Sequence, residues 1–232
     1  MEPSSSGASG FFVRISPRVP VYLAVGVTVL LIMHVTLQVW HYEVHMVPDL
    51  FKDLFDVNEE NNLPSWYSTA MLLLTSGILL AIAGKRRQEG APDARPWFWL
   101  SVIYCFLSLD ECAGIHETVN TMMDGLHGGI YFTWVLVWLP LVLVFAWIYL
   151  KFWWGLPPRV RLLVAIAGVA MVGSQLGIEE FSMGFDADKL PYNLMTAVEE
   201  GFKMYSEALF IHALLLYMRG SDKAPATVGV KT

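Results

Sequence analysis

Carboxylates and histidines lie within stretches of this sequence that are otherwise apolar. They have the chemistry to bind metal ions or transfer protons. Four of them share the run SLDECAGIHE: Asp110, Glu111, His116 and Glu117. Further ionisable residues in such stretches are His34, Glu179, Glu180, Glu199, Glu200, Lys203, Glu207 and His212. An ionisable side chain inside a membrane costs roughly 2.5 kcal/mol or more, so such residues are functional candidates.

Helical rise and phase predict which of these groups meet. At about 1.5 Å per residue, His34 and Asp110 both come to lie about 20 Å above one boundary of the apolar layer. Glu200 lies about 12 Å below the opposite boundary by the same rise. Those depths coincide in a hydrocarbon core about 30 Å thick, so we expect one cluster in its outer half.

The cluster needs positive charge or protons, because many carboxylates cannot all be ionised in a low-dielectric site. They can hold protons, pair with Lys203 and protonated histidines, or bind a metal cation. We predict catalytic roles for Asp110, Glu111, Glu200 and Glu207. The predicted metal ligands are Asp110, Glu111, His116, Glu117, Glu179, Glu199, Glu200 and His34.

Structural interpretations compete with these roles. His34 also suits a hydrogen-bonded core histidine. Lys203 lies four residues from both Glu199 and Glu207, a spacing that favours a structural ion-pair ladder. Glu117 and Glu179 come close enough to a span end to be solvated in the headgroup zone.

The elements that must position these residues are apolar runs of about twenty residues, the length that crosses a bilayer. The chain has 232 residues, 55% of them hydrophobic and 16% charged. We therefore predict an all-α integral membrane bundle of six transmembrane helices. The expected spans are 21–41, 65–84, 97–117, 130–150, 160–180 and 192–218. Residues 1–18 are predicted to be a flexible cytoplasmic leader, 19–219 the transmembrane domain, and 220–232 a flexible cytoplasmic tail.

Lysine and arginine predict the orientation. Twelve of them fall in one alternating set of segments, and only Lys52 and Lys189 fall in the other. The excess places both termini in the cytoplasm of a bacterial inner membrane. In the first outer loop, PDLFKDLFDV predicts a short interfacial helix with one apolar face. No basic patch is interleaved with aromatic residues, which argues against nucleic-acid binding.

Four stretches together resemble a family of uncharacterised bacterial six-span membrane proteins: FDVNEENNLPSWYS, SLDECAGIHE, QLGIEEF and AVEEGFKMYSEALFIHALL. The resemblance covers most of the chain and brings no reaction with it. It marks as shared positions Glu60, Asn62, Pro64, Ser68, Asp110, Glu111, His116, Glu117, Glu179, Glu199 and Glu200. Lys203 departs from it, since the family pattern implies an acidic residue there, and this weakens direct transfer of a metal site.

Three functions remain open. The leading hypothesis is a metal-dependent membrane enzyme that opens toward the periplasm, uses iron, manganese or zinc, and acts on a lipid or another hydrophobic small molecule. The second is a proton- or cation-coupled carrier or channel. The third is a non-catalytic accessory or sensor subunit, for which an oligomer or a larger membrane complex would be the setting.

Overall fold

A computed structural model describes residues 15–115, 118–119, 133–174 and 189–223. The first helix, α1 (Val19–Val39), has a proline in its first turn, where the missing N–H is tolerated, and then runs without a charged side chain. It continues as a π-helical stretch, Trp40–Val44. His45 adopts an extended conformation and ends the helix.

The first loop contains the short helix that the sequence predicts, α2 (Asp49–Leu54). Its apolar residues Leu50, Phe51 and Leu54 are exposed. The next helix, α3 (Leu63–Gln88), is capped by Asn62, whose Oδ1 accepts a hydrogen bond from the Ser65 N–H at 3.1 Å. This is the usual way to satisfy an orphan donor at a helix N-terminus.

Helices α3 and α4 (Ala94–Ala113) form an antiparallel hairpin. Two buried serines link them, since Ser76 Oγ donates to the Ser101 carbonyl at 2.8 Å and Ser101 Oγ returns a bond to the Ser76 carbonyl at 2.9 Å. Further along the same helix pair, Ser108 Oγ donates to the Thr69 carbonyl. Small hydroxyl residues let the two backbones approach closely, as in membrane helix pairs.

The remaining helices are α5 (Thr133–Trp154), α6 (Pro158–Gly173) and α7 (Leu190–Lys223). Helix α7 is 34 residues long and packs against α1, α3 and α6. It continues past residue 219, where the sequence predicted a flexible tail. Every described element is helical, which confirms the all-α class for this part of the chain.

The prediction of six transmembrane helices is wrong. Among the described residues, only two helical segments are long and apolar enough to cross a membrane: Val19–Val44 and Leu63–Gln88. The orientation of the chain in a membrane stays a prediction.

Charged side chains interrupt the apolar character of two of the other helices, and the described apolar parts of the remaining two are short. In α7, three acids and a lysine fall within nine residues, from Glu199 to Glu207. Helix α4 carries Arg95 near its start and Asp110 and Glu111 near its end. The described apolar part of α5, Leu139–Trp154, is shorter than 18 residues, and α6 has 16.

Large apolar side chains nevertheless face outward in single stripes. Each stripe follows the i, i+4, i+7 spacing of one helical face. The exposed residues are Val25, Val29 and Ile32 on α1, Val102, Phe106 and Leu109 on α4, Leu162, Ile166 and Val169 on α6, and Val198, Phe202 and Tyr205 on α7. Contiguous apolar surface of this kind marks contact with a membrane or with another protein.

Candidate functional site

Lys203 joins two of the predicted site residues. Its ammonium lies 3.1 and 3.2 Å from the two carboxylate oxygens of Glu111 on α4. It lies 3.2 and 3.4 Å from those of Glu200, one turn earlier on α7. All three side chains are less than one-fifth exposed. We call this group the Lys203 clamp, because it ties the end of α4 to the middle of α7.

Further carboxylates border the clamp. Asp110 precedes Glu111, and Glu199 is buried beside Glu200. Helix α4 ends at Gly114, whose φ of +59° is a conformation that favours glycine. A Cβ at Gly114 would meet the Glu60 carboxylate, which would have to move aside. The loop before α3 therefore brings Glu60 to the same end of α4.

The predicted metal site has no support from this part of the chain. Within residues 15–115, 133–174 and 189–223, no three His, Cys, Asp or Glu side chains lie close enough together to hold a metal ion. The predicted ligands His116, Glu117 and Glu179 lie outside the described residues. The metal site stays a prediction, and Lys203 already supplies a cation to Glu111 and Glu200.

Glu207 lies apart from the clamp in a different environment. Its side chain is 4% exposed, on the face of α7 that meets α3. Thr75 Oγ1 donates a hydrogen bond to Oε1, and Oε2 is buried with no hydrogen-bond partner in the described structure. The Tyr104 side chain on α4 lies close enough to interact electrostatically with Glu207.

The charge state of Glu207 follows from its burial and from its contacts with the described residues. Taking a carboxylate out of water costs several kcal/mol unless a cation or several donors replace its hydration. Glu207 receives one hydrogen bond, from a neutral hydroxyl. The geometry therefore favours a neutral acid, with its proton on Oε2 or shared with Thr75.

His34 belongs to a third group, which holds the first loop against α1. Its Nδ1 accepts the Val57 N–H at 3.2 Å, and its Nε2 lies 3.2 Å from the Asn193 carbonyl. These partners fit the neutral tautomer with the proton on Nε2. One turn along, Gln38 donates to Asp56 at 2.8 Å, and Asp56 lies 3.5 Å from His34. The structural interpretation of His34 is therefore the one that its contacts support.

The structure thus divides the single predicted cluster into three groups. Glu111 and Glu200 meet through Lys203, Glu207 pairs with Thr75, and His34 anchors the loop. Thr75 was not among the predicted site residues, because the apolar part of α3 has no ionisable side chain. A threonine in the middle of an apolar helix was the available signal, since such hydroxyls commonly bond across membrane helices.

Comparisons with known proteins give a family and no activity. A family model described as Domain of unknown function (DUF8692) matches residues 22–218. No curated protein and no solved structure matches the chain. The match spans α1 to α7, including every residue of the three groups above. The chain therefore belongs to the DUF8692 family.

Proposed function

We propose that this protein is an integral protein of a bacterial inner membrane that binds a proton at Glu207 and carries protons across that membrane. The observation that carries the proposal is a glutamate that is 4% exposed, accepts one hydrogen bond from Thr75, and has no hydrogen-bond partner on its other carboxyl oxygen and no ion pair among the described residues. Intramembrane carboxylates of this kind are what proton relays use.

The membrane location rests on two features. The segments Val19–Val44 and Leu63–Gln88 are long and apolar enough to span a bilayer. The outward stripes on α1, α4, α6 and α7 add apolar surface that lipid would cover. The end of the bundle where the arginines and lysines collect is proposed to face the cytoplasm, in line with the charge bias of inner-membrane proteins.

The polar residues of α7 offer a path toward Glu207. Glu200, Lys203 and Glu207 follow one another at helical spacing, so Glu207 lies about 10 Å along the helix from Glu200. The two clamp carboxylates share the Lys203 ammonium as their ionic partner, whereas Glu207 can take up or release its proton without losing one. A carrier needs one such group that changes charge during its cycle.

The proton on Glu207 can be tested directly by infrared spectroscopy. A protonated carboxyl gives a C=O stretching band that is separate from the carboxylate bands. We expect Glu207→Gln to remove one such band from the purified protein, and Thr75→Ala to shift its frequency by removing the hydrogen bond. Glu59→Gln, at an exposed glutamate in the first loop, is the matched control and should change nothing.

Transport is tested separately in proteoliposomes that contain a pH-sensitive dye. A proton gradient should dissipate faster with the wild type or Glu59→Gln than with Glu207→Gln. If Glu207→Gln leaves both the carboxyl band and the proton flux unchanged, the proposal is overturned. A changed band with no flux in any variant would point to a sensor instead. Elemental analysis that finds stoichiometric iron, manganese or zinc would favour the metal enzyme.

A further inference from the structure

One end of the bundle collects the termini of several helices around a shared apolar core. Trp97 at the start of α4, Val160 at the start of α6 and Leu214 near the end of α7 belong to this core. Leu23 from α1 and Phe152 from α5 pack against it. The Trp97 and Phe152 rings meet edge to face, with their centroids 4.7 Å apart, and the Tyr217 ring centroid lies 4.8 Å from that of Trp97. We call this part of the molecule the basic end, because of the charges that surround its core.

Positive charge dominates the basic end. Among the described side chains, its cations are Arg18, Lys85, Arg86, Arg87, Arg95, Lys151, Arg159, Arg161 and Arg219. The carboxylates there are Glu89 and Asp93. Both are engaged by Arg86, at 2.7 and 2.8 Å. Six of these nine side chains are exposed: Arg18, Arg87, Arg95, Lys151, Arg159 and Arg219.

The acids at this end are also structurally occupied. Asp93 accepts a hydrogen bond from the Tyr217 hydroxyl at 3.3 Å. Burial, followed by the nearby Asp93 carboxylate, raises the pKa of Tyr217, so its hydroxyl stays a donor. The Arg86–Asp93–Tyr217 contacts join α3, the α3–α4 turn and α7. They leave the exposed arginines Arg95, Arg159 and Arg219 to contact an external partner.

A groove at the basic end adds an apolar component. It lies between the start of α6 and the end of α7 and has a volume of about 430 Å³. Pro157, Pro158, Leu216 and Tyr217 line it, with Arg159 among the lining residues. A molecule with an apolar chain and an anionic head matches a groove that combines these walls with a guanidinium.

Aromatic residues beside the groove match the same partner. The Arg161 guanidinium lies 4.8 Å from the Trp154 ring centroid and 5.7 Å from that of Trp153. Trp153 Nε1 donates to the Arg161 carbonyl at 3.0 Å, which fixes the arrangement. Tryptophan and arginine together are typical of the level of lipid headgroups at a membrane surface.

From these features we propose that the basic end binds the headgroups of anionic phospholipids, with one lipid seated in the α6–α7 groove. The charge excess supplies the attraction, and a juxtamembrane basic residue contributes about 1 kcal/mol, or about fivefold in affinity. Candidate span α1 begins at the basic end and candidate span α3 ends there, so the arginines lie beside a leaflet surface. The proposal rests on the membrane location given above but not on the chemistry of Glu207.

The test measures stabilisation of the detergent-solubilised full chain by added lipid. Thermal unfolding is followed by tryptophan fluorescence while phosphatidylglycerol or phosphatidylcholine is titrated into the micelles. We expect phosphatidylglycerol to raise the unfolding temperature and phosphatidylcholine to have little effect. In the triple variant Arg95→Gln, Arg159→Gln, Arg219→Gln, the phosphatidylglycerol concentration for half-maximal stabilisation should rise by at least about tenfold.

Two controls keep the result interpretable. The matched triple replacement of the same arginines by lysine keeps the charge and should retain most of the effect. Lys52→Gln, in the first loop, should leave it unchanged. The proposal is overturned if both lipids stabilise the protein equally, or if the glutamine variant responds like the wild type. Equal stabilisation by glycerol phosphate without acyl chains would also overturn it, by assigning the charges to a soluble anion.

Discussion

Replacing Lys203 with methionine should destabilise the fold by about 3 kcal/mol. The variant leaves Glu111 and Glu200 facing each other across the space that the ammonium occupied, and all three groups are mostly buried. A charge pair about 4 Å apart is worth about 4 kcal/mol at the effective dielectric constant of a protein near its surface. Desolvation offsets part of this attraction. Removing one partner of a buried pair typically costs about 3–5 kcal/mol because the remaining charges are uncompensated.

The assay is chemical or thermal unfolding of the detergent-solubilised variants, read by tryptophan fluorescence. A double-mutant cycle with Glu111→Gln isolates the interaction, since the double variant should lose less stability than the two single losses combined. We expect a coupling free energy of about 1–3 kcal/mol. Lys52→Met is the matched control, because Lys52 forms a more exposed pair with Asp53 at 3.8 Å and should contribute less than about 1 kcal/mol.

Additivity would refute the reasoning about the clamp. If the losses from Lys203→Met and Glu111→Gln simply add, the ammonium and the carboxylate do not interact in the folded protein. A loss from Lys203→Met that is no larger than that from Lys52→Met would contradict the burial argument as well. Neither result depends on what the protein transports, so the test stands apart from the proposed function.

Three further changes test other contacts, each by the same unfolding assay. Gly26→Ala should destabilise the protein by about 1–3 kcal/mol, since its Cβ would collide with the Tyr67 hydroxyl, and the loss should shrink in a Tyr67→Phe background. Asn62→Ala should cost about 1 kcal/mol or more by removing the cap of α3, and Asn62→Asp, which retains the capping oxygen, should cost less. His34→Leu should cost about 2 kcal/mol and speed protease cleavage of the first loop, because the Val57 N–H loses its acceptor; His34→Gln should cost less.

The helices themselves were largely predictable from local pattern. Runs of apolar residues predicted α1 and α3, and the apolar face of the PDLFKDLFDV stretch predicted α2. These features depend on neighbours within a few residues, which the sequence displays. Whether an apolar run crosses a membrane depends also on the charges that share its helix. The acids that α4 and α7 carry are where the six-span prediction failed.

The partners of the site residues were harder to predict, because they join distant parts of the chain. Helical spacing pointed Lys203 toward Glu199 and Glu207, whereas its described ion pair on α7 is with Glu200, three residues away. It could not show that Glu111, 92 residues away, would complete the clamp. Asp56 was not among the predicted site residues, yet it is buried against α1. No periodic pattern in the sequence predicts that a loop residue folds back onto a helix.

Helix α7 buries carboxylates by two different means, and the difference bears on function. At Glu200, a tethered ammonium neutralises the charge and also joins α7 to α4, so losing that charge would loosen a helix contact. At Glu207, the carboxyl is held by a neutral hydroxyl, so a proton can be exchanged while Thr75 remains as a hydrogen-bonding partner. A membrane protein that must change charge during a working cycle without coming apart needs the second kind of site. The first kind keeps the surrounding helices in place while the change occurs, which is why we assign the clamp to stability and Glu207 to the proton.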